Sequence, residues 1–176
     1  FWLSHVIHFK QMNIDSIKKL KEQLTRAYKK TTALGQYPAV IRESVAINEG
    51  FDPLCWLSSQ QEYPKFFWRS EDGGRVLAYS GATQIFTNSD RSCTTEQWST
   101  LSELQAREPS LRCWGGISFY PRLTGPEWKN FDAWAVHIPK IGLERDPVSA
   151  RWILVCQIIL LEKENPSLKA IFTILN

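Results

Sequence analysis

The stretch Lys65–Phe86, "KFFWRSEDGGRVLAYSGATQIF", decides the reading of this chain. Phe66, Phe67 and Trp68 before "EDGG", and Val76, Leu77 and Tyr79 after it, suit a pleated, half-buried surface. The Asp-Gly-Gly between them tolerates the positive φ of a hairpin turn, so two antiparallel strands are expected. The second does not stop at Ser80-Gly81-Ala82, because an apolar run resumes through Ile85 and Phe86. Small residues there fit a bend in one strand where two backbones approach closely. The alternative is an ordinary turn between two separate strands. Either way the glycine is structural rather than catalytic.

Working outward, Asp15–Leu34 repeats Ile17, Leu20, Leu24 and Ala27-Tyr28 at helical spacing. Asn13 or Asp15 can cap its start and Gly35 its end. Its basic residues, Lys18, Lys19, Lys21, Arg26, Lys29 and Lys30, read as a solvated face, since no aromatic residue or glycine-rich loop accompanies them. Pro38–Ile47 is partly alternating and reads as a strand. Asp52-Pro53 is a strong helix start, with an end before Pro64. Thr95–Ala106 carries one apolar stripe, Trp98, Leu101 and Leu104, and reads as a further helix.

From Leu111 the chain reads as three strands: "LRCWGGISFYP", "FDAWAVHIPKIGLER" and "RWILVCQIILLEK". Pro139 in the second marks a bulge or an edge position. The third is nearly continuous in apolar residues and should be covered on both faces. The expected fold class is α+β, with a largely antiparallel sheet and helices packed on one side. Residues 1–49 hold the amino-terminal helix and a strand, and residues 50–176 the sheet region. No linker separates independent domains.

The chain has 176 residues, 43% hydrophobic and 22% charged, which suits one globular unit. A net charge of +3 points to neither a nucleic-acid nor a membrane-surface partner. No apolar run approaches the roughly 20 residues of a spanning helix. The opening "FWLSHVIHFKQMN" lacks a basic leader and a small-residue cleavage site, so no signal peptide is expected. Cys55, Cys93, Cys113 and Cys156 have no CxxC spacing and read as reduced thiols in a cytoplasmic protein.

Converging chemistry is scarce. His5 and His8 stand three apart but lack a neighbouring carboxylate or thiol ligand, so they are not read as a metal site. His137 lies in a strand pattern and reads as a partly buried or outward polar residue rather than a base. Gly115-Gly116 fits close passage of a neighbouring strand. Glu71-Asp72 and Glu162/Glu164 fall at turns or strand ends and read as solvated. No GxSxG, P-loop, HExxH or GxGxxG pattern is present.

Four blocks carry a resemblance: "FDPLCWLSSQQEYPKFFWRS", "SGATQIF", "LRCWGGISFYP" and "HIPKIGLER". In order and spacing they resemble the amino-terminal part of menaquinone-pathway isochorismate synthases. These belong with the chorismate-utilising enzymes that make anthranilate, aminodeoxychorismate and salicylate. The resemblance covers about Phe51–Glu162, and residues 1–50 match no part of it. It implies a fold in which two sheets pack together, the bend at Gly81 carrying its strand over the facing sheet.

It also implies a reaction that moves a hydroxyl from C4 to C2 of chorismate, giving isochorismate. The family uses Mg²⁺, a lysine as general base on the attacking water, a glutamate as general acid, and further glutamates on the metal. Both ends of the exchange need proton transfer, because water is a poor nucleophile and hydroxide a poor leaving group. Those groups lie in the family's carboxy-terminal part, and the chain ends at Asn176 before them. Lys140 and Lys169 do not match the base, and Glu144 and Glu162 do not match the metal ligands. No catalytic, substrate-binding or metal residue is therefore assigned.

The expectation is a scaffold portion, inactive alone, that meets chorismate and Mg²⁺ only in the complete enzyme. An exposed apolar sheet face is expected to drive self-association. The alternative is a free-standing module that binds a small ligand, or a partner, on an aromatic-lined sheet.

Overall fold

The computed structural model describes residues 14–47, 52–88, 95–117 and 134–161. The readings placed on His5, His8, Cys93, Glu162, Glu164 and Lys169 lie outside these residues. The elements are α1 (Ile14–Leu34), β1 (Ala39–Ile47), α2 (Pro53–Ser59), β2 (Lys65–Arg69), β3 (Val76–Asn88), α3 (Thr95–Arg107), β4 (Trp114–Ile117), β5 (Trp134–Arg145) and β6 (Trp152–Leu160). One antiparallel sheet runs β1-β6-β5-β3-β2, with β4 pairing β5. The fold is α+β, as expected.

The local signals explain the ends. Asp52 accepts hydrogen bonds from the N–H groups of Leu54 (2.9 Å) and Cys55 (3.3 Å), and Pro53 opens α2. This satisfies two donors that a helix start leaves without partners. Gly35 takes φ +62° just past α1 and returns its N–H to Thr31 at 3.2 Å. In the β2–β3 hairpin Ser70 donates to the Arg75 carbonyl at 2.9 Å, and Gly73 adopts φ +68°.

Leu20 and Leu24 of α1 are fully buried against β1, β3, β5 and β6, in a core that also takes Trp56 and Leu57 of α2. Leu101 and Leu104 of α3 join a second core with Phe86, Trp134, Ile138 and Ile159. Ile158 and Leu160 belong to the first core, but Ile159 between them belongs to the second. Successive strand residues point to opposite faces. The one-sided arrangement expected of the helices therefore holds for α1 and α2, whereas α3 covers the reverse face of β6. Leu154 to Leu160 are all buried, which accounts for the unbroken apolar run of β6.

β3 is one strand of 13 residues, so the Ser80-Gly81-Ala82 break is a bend and not a turn. The reason for glycine differs from the expected close backbone approach. Gly81 has φ +67°, and a Cβ there would stand 2.5 Å from Glu62 Oε2, a side chain. Its N–H donates to the Pro64 carbonyl at 3.0 Å, and Ser80 Oγ donates to the Glu62 carbonyl at 2.9 Å. The bend thus receives the segment that leads into β2. Among the described residues it serves one sheet, with no facing sheet present.

Pro139 sits where the sheet forks. β6 pairs with Ile141–Arg145 of β5, β4 pairs with Trp134–His137, and β3 runs along the whole opposite edge. The β3–β5 register slips between Ala82 and Gln84, opposite Pro139 and Ile138. The bulge expected at Pro139 is therefore carried by the partner strand. A proline has no N–H to give to either branch.

Candidate functional site

β-strand alternation places Arg42 of β1, Glu144 of β5 and Tyr79 of β3 within reach of one another. Arg42 Nη2 lies 2.9 Å from Glu144 Oε1, and Tyr79 donates its hydroxyl to the same oxygen at 2.9 Å. Tyr79 can lie flat over β5 because residue 142 is glycine. A Cβ at Gly142 would fall 2.0 Å from the Tyr79 ring. Burial, and then the Glu144 charge, push the Tyr79 hydroxyl far above its ordinary value, opposed by Arg112 and Arg42.

An aromatic run continues from this charged group. Phe66 stacks on Tyr79 (6.2 Å between centroids) and on Trp114 (4.8 Å), and Trp114 stacks on His137 (4.2 Å). Trp114 and His137 are direct cross-strand partners, which sets their stacking. Burial lowers the His137 pKa and keeps its ring neutral at pH 7. Three buried nitrogens along this run, Arg42 Nε, Trp114 Nε1 and His137 Nδ1, have no hydrogen-bond partner among the described residues. Buried polar groups are nearly always paired, so such a cluster is where recognition chemistry would be sought.

At the fork, Gln157 supplies what the diverging strands cannot. Its Oε1 accepts from the Arg112 N–H at 2.8 Å, and its Nε2 donates to the carbonyls of Pro139 (3.1 Å) and Arg112 (3.3 Å). Thr83 Oγ1, on the bulge, accepts from the Ile159 N–H at 3.1 Å. Lys140 pairs with Glu62 at 2.6 Å beside Gly81.

His137 is partly buried, as expected, and stacks on Trp114. Glu144 and Lys140 each hold a partner inside the fold. Cys55, Cys113 and Cys156 are free thiols, and burial pushes Cys156 up to about 12. The sequence reading missed Arg42, Tyr79 and Gln157. A signal was present: Arg42 and Glu144 are charged residues inside strand patterns that are mostly apolar, and a charge on such a strand calls for a partner.

A family model described as "Chorismate binding enzyme" matches residues 22–174, so the match begins within α1 rather than at Phe51 as expected. The chain belongs to the chorismate binding enzyme family. Isochorismate synthase MenF of Escherichia coli (strain K12) is 33% identical over 75 residues, which is 43% of this chain and 16% of that enzyme. The solved structure of MenF, the menaquinone-specific isochorismate synthase from Escherichia coli, shares the fold with a TM-score of 0.53 at 20% identity. That match covers 87% of this chain and 32% of MenF. The chain therefore spans about a third of the length of that solved structure. No helix among the described residues is long and apolar enough to cross a membrane.

Proposed function

We propose that this chain is the amino-terminal framework of an isochorismate synthase, acting in the cytoplasm in menaquinone biosynthesis. In the complete enzyme it braces the part that converts chorismate to isochorismate. The support is the 33% identity to isochorismate synthase MenF, joined to one structural observation. The candidate acid and base groups of the sheet are already engaged. Glu144 holds Arg42 and Tyr79, and Lys140 holds Glu62.

The family's Mg²⁺ does not fit these residues. Glu144 and Glu62 are each held by a cationic partner, and breaking the largely buried Arg42–Glu144 pair to reach a divalent cation would strand the arginine charge. The metal and the proton-transfer groups are assigned to the remainder of the complete enzyme.

The test is a chimera in which this chain replaces the matching segment of Escherichia coli MenF. Isochorismate formation by the chimera, with none from this chain plus Mg²⁺ and chorismate, is the expected pair of results. Turnover by the chain alone, or a folded chimera without activity, would overturn the framework reading. A second reading, a small-ligand module, is favoured by the Tyr79–Phe66–Trp114–His137 stack, whose Trp114 and His137 nitrogens lack partners among the described residues. Saturable calorimetric binding of chorismate or tryptophan to the isolated chain would select it.

A further inference from the structure

β2 lies at the edge of the sheet, and its hydrogen-bonding register fixes which of its backbone groups face outward. β2 and β3 pair Lys65 with Ser80, Phe66 with Tyr79, Phe67 with Ala78, Trp68 with Leu77 and Arg69 with Val76. Just beyond this ladder, Gly81 donates to Pro64 and Ser70 donates to Arg75. Hydrogen-bonded and non-bonded pairs alternate along an antiparallel ladder. Phe66 and Trp68 therefore direct their N–H and C=O groups at β3. Lys65, Phe67 and Arg69 direct theirs away from it, to an edge with no strand partner among the described residues.

The side chains define what this edge accepts. Lys65, Phe67 and Arg69 project from one face, giving a cation, an aromatic ring and a cation at every second position. Phe67 is 37% exposed and Trp68, on the other face, 43%. A second copy pairing antiparallel about Phe67 would set Lys65 against Arg69 twice, and like charges directly opposite destabilise a sheet. The same two cations attract carboxylates.

We infer that β2 is a docking edge for an extended segment of another polypeptide that carries carboxylates at i and i+4 around an apolar residue at i+2. Strand addition of this kind takes its affinity from main-chain hydrogen bonds and its specificity from alternate side chains. The inference rests on the edge geometry and charge of the described residues.

The probe is the synthetic peptide acetyl-Thr-Glu-Val-Val-Val-Glu-Thr-amide, added to the full chain and followed by amide hydrogen exchange in NMR. In the free chain the amides of Lys65, Phe67 and Arg69 should exchange fast and those of Phe66 and Trp68 slowly. The peptide should protect the first three and leave the other two unchanged. A peptide with both Glu replaced by Lys should bind at least about tenfold more weakly. Phe67→Pro removes an outward N–H and the exposed ring but no β2–β3 ladder bond, so it should abolish peptide binding while the circular dichroism spectrum and thermal midpoint stay near those of the parent. Equal affinity for the two peptides, or no protection at millimolar peptide, would leave the cations as guards of the edge and overturn the inference. Protection that instead rises with protein concentration would assign the edge to a second copy and overturn it as well. The two-peptide comparison decides the matter even if the proline variant fails to fold.

Discussion

The two cores are built by different means. The core beneath α1 and α2 gathers four strands and two helices around aliphatic side chains, with Leu20, Leu24, Leu143, Leu154 and Leu160 fully sealed. The core beneath α3 is smaller and lies where the strands diverge. Polar stitches hold its margins: Gln157 to Arg112 and Pro139, Thr83 to Ile159, and Arg107 Nη1 to the Pro38 carbonyl at 2.7 Å. Apolar area carries the first region. In the second, side chains stand in for ladder bonds that a forked sheet cannot make.

Four measurements break or sharpen this contrast. Leu154→Ala should lower the unfolding free energy by about 4 kcal/mol, because six elements crowd that core and cannot collapse into the gap. Leu104→Ala, in the smaller core, should lower it by about 2 kcal/mol, and equal values from urea unfolding would erase the distinction. Gln157→Leu falls between them, at about 3 kcal/mol, since it strands the Arg112 N–H and two carbonyls while keeping the volume. Amide exchange at Arg112 should quicken in that variant, and an unchanged rate there would show that the stitch is dispensable.

The charged end of the aromatic run should be sensitive to base. The Tyr79 pKa is raised in the fold, mainly by burial. Its stabilising contribution is therefore complete below the ordinary tyrosine value of about 10 and is lost as pH rises beyond it. Urea midpoints measured from pH 8 to 11 should fall, and Tyr79→Phe should flatten that slope.

The smallest effect belongs to His137, whose pKa burial lowers. A histidine held neutral contributes stability above its ordinary value of about 6.5, which drains away as pH falls below that value. His137→Gln should remove a shallow acid-side loss. An unchanged profile would mean that the ring titrates as freely as in the unfolded chain.

What the sequence disclosed follows the range of the interactions. The Asp52-Pro53 start, the Gly35 stop and the Asp-Gly-Gly turn depend on residues within a few positions, and they were legible. So was the bend at Gly81, though its cause was not, because Glu62 reaches it from another loop. The bulge at Thr83 has no local signature. The fork at Pro139 depends on where β4 and β6 approach β5. Arg42 and Glu144 lie 102 residues apart, and Gln157 is a polar residue in an apolar run whose role depends on the distant Arg112. Composition gave α3 an apolar stripe without saying which face of β6 it would cover.

The pairing of β1 with β6 has a consequence for biosynthesis. Ala39 aligns with Leu160 and Ile47 with Trp152, so β1 leaves the ribosome long before the strand it pairs with. At typical elongation rates of about 5–20 residues per second, β1 waits on the order of ten seconds with both edges bare. α1, folded back over it, is the shelter available in that interval, and nascent chains lacking α1 should be the ones that chaperones capture.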